Sequence, residues 1–105
     1  MKIKLVDITE IIRSKNSGPY ELTIDLMFST FDWYQKVCAA GVINEALVCR
    51  LYKINATDII NIINFDPAKA IKVTIKRPLC SGDIGETDVY GAQQHAPFLH
   101  VEFEV

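Results

Sequence analysis

Residues 20–28 read YELTIDLMF, a run that predicts a β-strand because its side chains alternate with a period of two. One side of this strand is apolar and should face a core, as expected for a strand of an antiparallel sheet. The apolar side carries Leu22, Ile24, Leu26 and Phe28. The other side carries Thr23, Asp25 and Met27.

Two helices are predicted directly after this strand. Ser29 or Thr30 is a suitable N-cap for residues 31–40, FDWYQKVCAA, and Gly41 is placed to end that helix in a left-handed conformation. Asn44 is a suitable N-cap for a second helix, NEALVCRLYK. We expect the two helices to form a hairpin on one face of a sheet.

Four further segments complete the predicted sheet. Residues 2–7 alternate weakly, and residues 59–65 (IINIINF) indicate a buried strand. Residues 70–76 alternate and place Ile71, Val73 and Ile75 inward. Residues 98–105 also alternate and place four side chains inward: Leu99, Val101, Phe103 and Val105. Residues 8–13 fit either one helical turn or a continuation of the first strand. Residues 14–19 (SKNSGP) have the composition of a turn.

The sequence therefore predicts an α+β fold in the order ββααβββ, with a mostly antiparallel sheet and a helical hairpin on one face. A chain of 105 residues is long enough for one domain, residues 1–105.

The composition excludes several classes of protein. A net charge of −2 gives no electrostatic case for nucleic acid or an anionic membrane. No stretch predicts a signal peptide or a membrane span, and the three cysteines are widely spaced. We expect a cytoplasmic protein with free thiols, no metal and no cofactor.

The segment 78–97, PLCSGDIGETDVYGAQQHAP, is the candidate functional loop. Connections of this length inside a compact domain are usually functional or disordered, and this one is neither low in complexity nor highly charged. Its glycine amides suit an anion. Structural turns, a partner interface and a catalytic pair of Cys80 and His95 are alternative interpretations.

A second candidate is the cationic turn at residues 13–19. Arg13 and Lys15 suit a carboxylate or an acyl-CoA phosphate. If this turn meets the loop, either cation would face Asp83, Glu86 or Asp88, as a salt bridge or a polar pocket. Trp33 is either an exposed contact for a partner or an aromatic ring packed over the helix edge.

The candidate residues lie in these two segments. The binding candidates are Arg13, Lys15, Asn16, Ser17, Gly18, Ser81, Gly82, Thr87, Asp88, Gly91, Gln93, Gln94 and His95. The catalytic candidates are Asp83, Asp88, Tyr90 and His95.

Three motifs resemble a small bacterial and archaeal family of unknown function: the region around residues 7–19, FDPAKAIK at residues 65–72, and the segment SG…TDVYGAQQHAP within residues 81–97. That family is similar to a stand-alone form of the C-terminal domain of AtuA-like (acyclic terpene utilisation) proteins. The resemblance implies a ferredoxin-like plait without an iron–sulfur cluster, and a neighbouring AtuA-like large protein. It supplies no catalytic residues.

These observations lead to three hypotheses. The first is an accessory subunit or interaction domain that partners an AtuA-like large protein in the catabolism of a small branched acid or acyl-CoA, with the loop and the turn as the docking surface. The second is a stand-alone lyase or hydratase acting on a carboxylic acid. The third is a homo-oligomer whose strands pair across subunits through residues 98–105.

Overall fold

The computed structural model describes residues 2–18, 21–76 and 96–104. The described strands form two antiparallel sheets, a ribbon of two strands and a sheet of four. The strands are β1 (Lys2–Lys4), β2 (Thr9–Gly18), β3 (Glu21–Phe28), β4 (Ile59–Phe65), β5 (Ala70–Lys76) and β6 (Glu102–Glu104). The helices are α1 (Leu5–Ile8), α2 (Phe31–Ala40) and α3 (Glu45–Tyr52), with 3₁₀ turns at Ala56–Asp58, Asp66–Ala68 and Ala96–His100. The α+β prediction is confirmed.

The larger sheet has the order β2-β3-β5-β4, and β1 pairs with β6 in the ribbon. Both helices of the hairpin follow one another between β3 and β4. This arrangement differs from a βαββαβ plait, in which the two helices alternate with strands. The described elements therefore have an α+β fold without the order of a ferredoxin-like plait.

The strand predicted at residues 20–28 corresponds to β3, Glu21–Phe28, which is central to the larger sheet. Leu22, Ile24, Leu26 and Phe28 are at most 2% exposed, so the predicted apolar side is the core side. Ile71, Val73 and Ile75 of β5 lie beside it and are equally buried. The helices cover this core with Tyr34, Val37 and Val48.

The predicted helix ends are confirmed by their hydrogen bonds. The Thr30 side chain accepts from the Trp33 amide, and the Asn44 side chain accepts from the Leu47 amide. Gly41 follows α2 with φ of 64°, in the left-handed region that a glycine adopts without strain.

The region before β3 differs from the prediction. The predicted turn at residues 14–19 is wrong over residues 14–18, because β2 continues through Gly18 and pairs along β3. Only Lys2–Lys4 of the first predicted strand is extended, and α1 follows it as a single helical turn. Thr9 Oγ1 donates to the Leu5 carbonyl at 2.9 Å, so this hydroxyl caps the end of α1.

The end of the chain also differs. Residues 96–100 form a 3₁₀ turn, and the strand begins only at Glu102. A 3₁₀ turn repeats every three residues, so Phe98 and Val101 share a side and are buried. Leu99, predicted to point inward, is 38% exposed.

The strand β4 has the predicted bounds, but the prediction that it is buried is wrong. It lies at an edge of the sheet, and Ile60, Ile63 and Phe65 are 42%, 49% and 43% exposed. Composition alone predicted burial, because a central strand and an apolar edge strand have the same residue types.

Candidate functional site: the outer face of the four-stranded sheet

The face of the four-stranded sheet opposite the core is the candidate site, and we call it the outer face. The strand register aligns its side chains in rows across the strands. One row is Lys15, Thr23, Thr74 and Asn61. The next is Arg13, Asp25, Lys72 and Ile63, and the third is Ile11, Met27, Ala70 and Phe65.

An ion pair lies in the middle row. Arg13 Nε donates to Asp25 Oδ2 at 3.1 Å. The Arg13 side chain is 54% exposed, whereas the Asp25 side chain is 3% exposed. A carboxylate this deeply buried needs a partner, because removing a charge from water is costly. Arg13 is therefore the group that allows an aspartate at this position.

The second carboxylate oxygen of Asp25 is buried without a hydrogen-bond partner among the described residues. Lys72 is the neighbour of Asp25 on β5, but its ammonium group lies 5.1 Å from the Phe65 ring centre. This position is a cation–π contact. The row thus alternates a cation, a buried anion and a second cation.

Apolar side chains lie beside the charged row and at its β4 end. Ile11 on β2 is 40% exposed, and Ile63 and Phe65 on β4 are exposed as well. Thr23 and Thr74 share a hydrogen bond of 3.2 Å between their hydroxyl groups. An apolar patch around a few fixed polar groups is typical of surfaces that bind other proteins.

The net charge of the outer face is more positive than the net charge of the whole chain. Its paired positions carry four cations, Arg13, Lys15, Lys72 and Lys76, and two anions, Glu21 and Asp25. The whole chain has a net charge of −2. The positive charge on this face favours an acidic partner surface.

A separate depression of about 470 Å³ lies between α2 and the end of β4. Its polar groups include Tyr34, Cys38, Asn64 and Asp66. The Tyr34 hydroxyl donates to Asp66 Oδ1 at 2.5 Å. This bond joins α2 to the 3₁₀ turn after β4.

Burial, and then the hydrogen bond to Asp66, raise the pKa of Tyr34 above its ordinary value. Burial also raises the pKa of the Cys38 thiol, with a further contribution from the Asp66 carboxylate. The phenol and the thiol therefore remain protonated at neutral pH. The Tyr34–Asp66 bond therefore acts as a structural link. Neither Tyr34 nor Cys38 is a base that accepts a proton near neutral pH.

The structure describes only part of the predicted site, and the binding and catalytic roles stay predictions. Arg13 and Lys15 lie on the outer face, where Arg13 pairs with Asp25. Asn16, Ser17 and Gly18 form the end of β2. The other candidates lie outside the described residues: Cys80, Ser81, Gly82, Asp83, Glu86, Thr87, Asp88, Tyr90, Gly91, Gln93, Gln94 and His95.

Trp33 is partly buried against the core, and Lys36 Nζ lies 4.9 Å from its ring centre. This position corresponds to the packed alternative for the tryptophan. Among the described residues, no group of three histidine, cysteine, aspartate or glutamate side chains is arranged to hold a metal ion. The helices in the described part of the chain are all too short or too polar to span a membrane.

Comparison with known proteins identifies the family. The model of a domain of unknown function, DUF4387, matches residues 5–102. The chain belongs to the DUF4387 family. No curated protein and no solved structure matches the chain.

Sequence reasoning missed two features of this DUF4387 domain. The first is the Arg13–Asp25 pair, which depends on the register of β2 against β3. The second is the exposed edge formed by β4. The sequence held one signal of this exposed edge. The β4 strand has no charged residue, but it contains two asparagines, which are less common in buried strands.

Proposed function

We propose that this DUF4387 domain is an accessory subunit or interaction domain that docks an AtuA-like large protein through its outer face. The observation that carries the proposal is the exposed apolar side chains at both edges of the outer face, Ile11 on β2 and Ile63 and Phe65 on β4, with the Arg13–Asp25 pair between the edges. The family resemblance supplies the partner and its setting, a cytoplasmic route for breakdown of a small branched acid or acyl-CoA.

The charge of the outer face supports a partner whose docking surface carries acidic residues. With Asp25 paired to Arg13, the remaining charges of the paired positions are Lys15, Lys72, Lys76 and Glu21. An apolar surface with acidic residues at its rim would match this pattern.

The proposal is tested by co-expressing the chain with an AtuA-like large protein from the same genome. We expect the two proteins to elute together in size-exclusion chromatography. Ile11→Glu should abolish co-elution, because it places an anion in the apolar patch opposite an acidic surface. Val6→Glu is the matched control, since Val6 is 38% exposed on α1 and lies outside the outer face.

Separate elution of the wild-type chain at micromolar concentration would overturn the proposal. Loss of co-elution with Val6→Glu and not with Ile11→Glu would assign docking to another surface. The alternative of a lyase or hydratase stays a prediction, because its candidate residues lie outside the described part of the chain.

A further inference from the structure

The two edges of the four-stranded sheet differ in how they are protected. An edge strand presents unpaired backbone N–H and C=O groups, which other strands can join. The edge strand β2 carries Glu10, Arg13 and Lys15 and has two register irregularities. Charges and bulges are the usual protection of an edge against pairing.

The other edge, β4, has little such protection. Its seven residues, IINIINF, include no charge and no proline, and it has one register irregularity, near Ile59. Among the described strands, only β5 pairs with it. Three of its side chains are large, apolar and exposed: Ile60, Ile63 and Phe65.

We propose that β4 pairs antiparallel with β4 of a second copy of this chain, and that the two four-stranded sheets join into one sheet of eight strands. A two-fold axis places β4 against itself, so the same surface serves both copies. Because β4 is uncharged, the two strands meet without like charges on the strand itself. The seam would be roughly 23 Å long at the usual rise per residue.

A second copy fits this edge better than the acidic partner that suits the outer face. The edge offers backbone groups and isoleucine side chains, which a second β4 matches directly. Lys72 lies on the neighbouring strand, and its ammonium group is over the Phe65 ring. The dimer uses the strand edge and leaves Ile11 at the far side of each sheet free.

The experiment measures the mass of the purified full-length chain by light scattering during size-exclusion chromatography, from about 1 to 100 μM. We expect the wild-type chain to be a dimer at the upper concentrations. Ile63→Glu should weaken the dimer by at least tenfold, because the variant places a carboxylate of each copy at the seam. The monomer should stay folded, since Lys72 faces position 63 across the β4–β5 pair.

Ile11→Glu is the matched control, since Ile11 lies on the same face at the opposite edge and is similarly exposed. It should remain dimeric. Hydrogen exchange gives a second readout: β4 amides that face away from β5 should be protected in the wild-type dimer and exchange rapidly in Ile63→Glu.

A monomeric wild-type chain at 100 μM would overturn the inference, as would a dimer that survives Ile63→Glu. A dimer lost equally in both variants would place the contact on the outer face and would also overturn it. These outcomes are independent of the proposed function, because Ile11→Glu should lose the AtuA-like partner and keep the dimer.

Discussion

Arg13 Nε lies 3.1 Å from Asp25 Oδ2, and the two residues are direct partners across the β2–β3 pair. The aspartate is almost fully buried on a face where its arginine partner is half exposed. The register that aligns them also aligns the apolar residues of the outer face. The pair is therefore a stability element within the proposed docking surface.

We expect Arg13→Met to lower the free energy of unfolding by about 1–3 kcal/mol, because it leaves a buried carboxylate without its donor. Urea unfolding at pH 7 measures this change. Lys15→Met is the control, since Lys15 lies on the same strand and face and is exposed. It should cost less than about 0.5 kcal/mol. Equal losses in the two variants would contradict a specific role for the ion pair.

Stability should fall in alkaline solution because the pKa of Tyr34 is raised in the folded chain. An unfolded tyrosine loses its proton near pH 10, whereas the folded Tyr34 keeps it. Above about pH 10 the folded state thus binds more protons, and stability decreases by about 1.4 kcal/mol per pH unit for this group. The pKa of Tyr52 is also raised by burial, which adds to the slope.

Urea midpoints measured from pH 8 to 11 test this slope. Tyr34→Phe should flatten it and should cost about 1 kcal/mol at pH 8 through the lost hydrogen bond to Asp66. Asp66→Asn retains an acceptor for Tyr34 and should cost less at pH 8. An unchanged slope in Tyr34→Phe would show that Tyr34 is not the responsible group.

Gly41→Ala should destabilise the chain by about 1 kcal/mol, because Gly41 has φ of 64° after α2. A Cβ at this position would meet no atom within 4 Å, so the cost is one of backbone conformation alone. Gly41→Asn is the control and should cost less, since asparagine tolerates the left-handed region. Thermal unfolding followed by circular dichroism measures both variants. A neutral Gly41→Ala would argue against the left-handed helix end.

Phe98→Ala should cost about 3–5 kcal/mol, because this side chain is fully buried and packs with Tyr52. Leu99→Ala, next to it in the chain, should cost less than about 1 kcal/mol, because Leu99 is 38% exposed. The comparison distinguishes a 3₁₀ turn from the alternating strand that the sequence predicts. A larger loss of stability in Leu99→Ala than in Phe98→Ala would support the alternating strand instead.

The predictable parts of this fold are those in which one strong local pattern determines the structure. The alternation in β3 and β5 and the caps of α2 and α3 are local signals, and the structure confirms them. The extension of β2 through residues 14–18 was not predicted, because SKNSG has turn composition and only the pairing with β3 makes it extended.

The outer face could be predicted only in part. The sequence indicated that Asp25 points away from the core side of β3. The residue of β2 that lies opposite Asp25 depends on the register between β2 and β3, which depends on where β2 ends. The strand that contains Ile63 and Phe65 was predicted to be buried, because apolar composition does not reveal a strand's position in a sheet. The position of β4 follows from the order of all four strands, which is a property of the whole fold.

The four-stranded sheet contains strand pairs that are close in sequence and one pair, β3 with β5, that is distant in sequence. Arg13 and Asp25 are 12 residues apart in the hairpin of β2 and β3, whereas Thr23 and Thr74 are 51 residues apart across the β3–β5 pair. Closing a long loop costs more entropy and slows folding, so each hairpin should form before the two join. The β3–β5 junction, covered by the α2–α3 hairpin, is then the step that commits the chain to its native state.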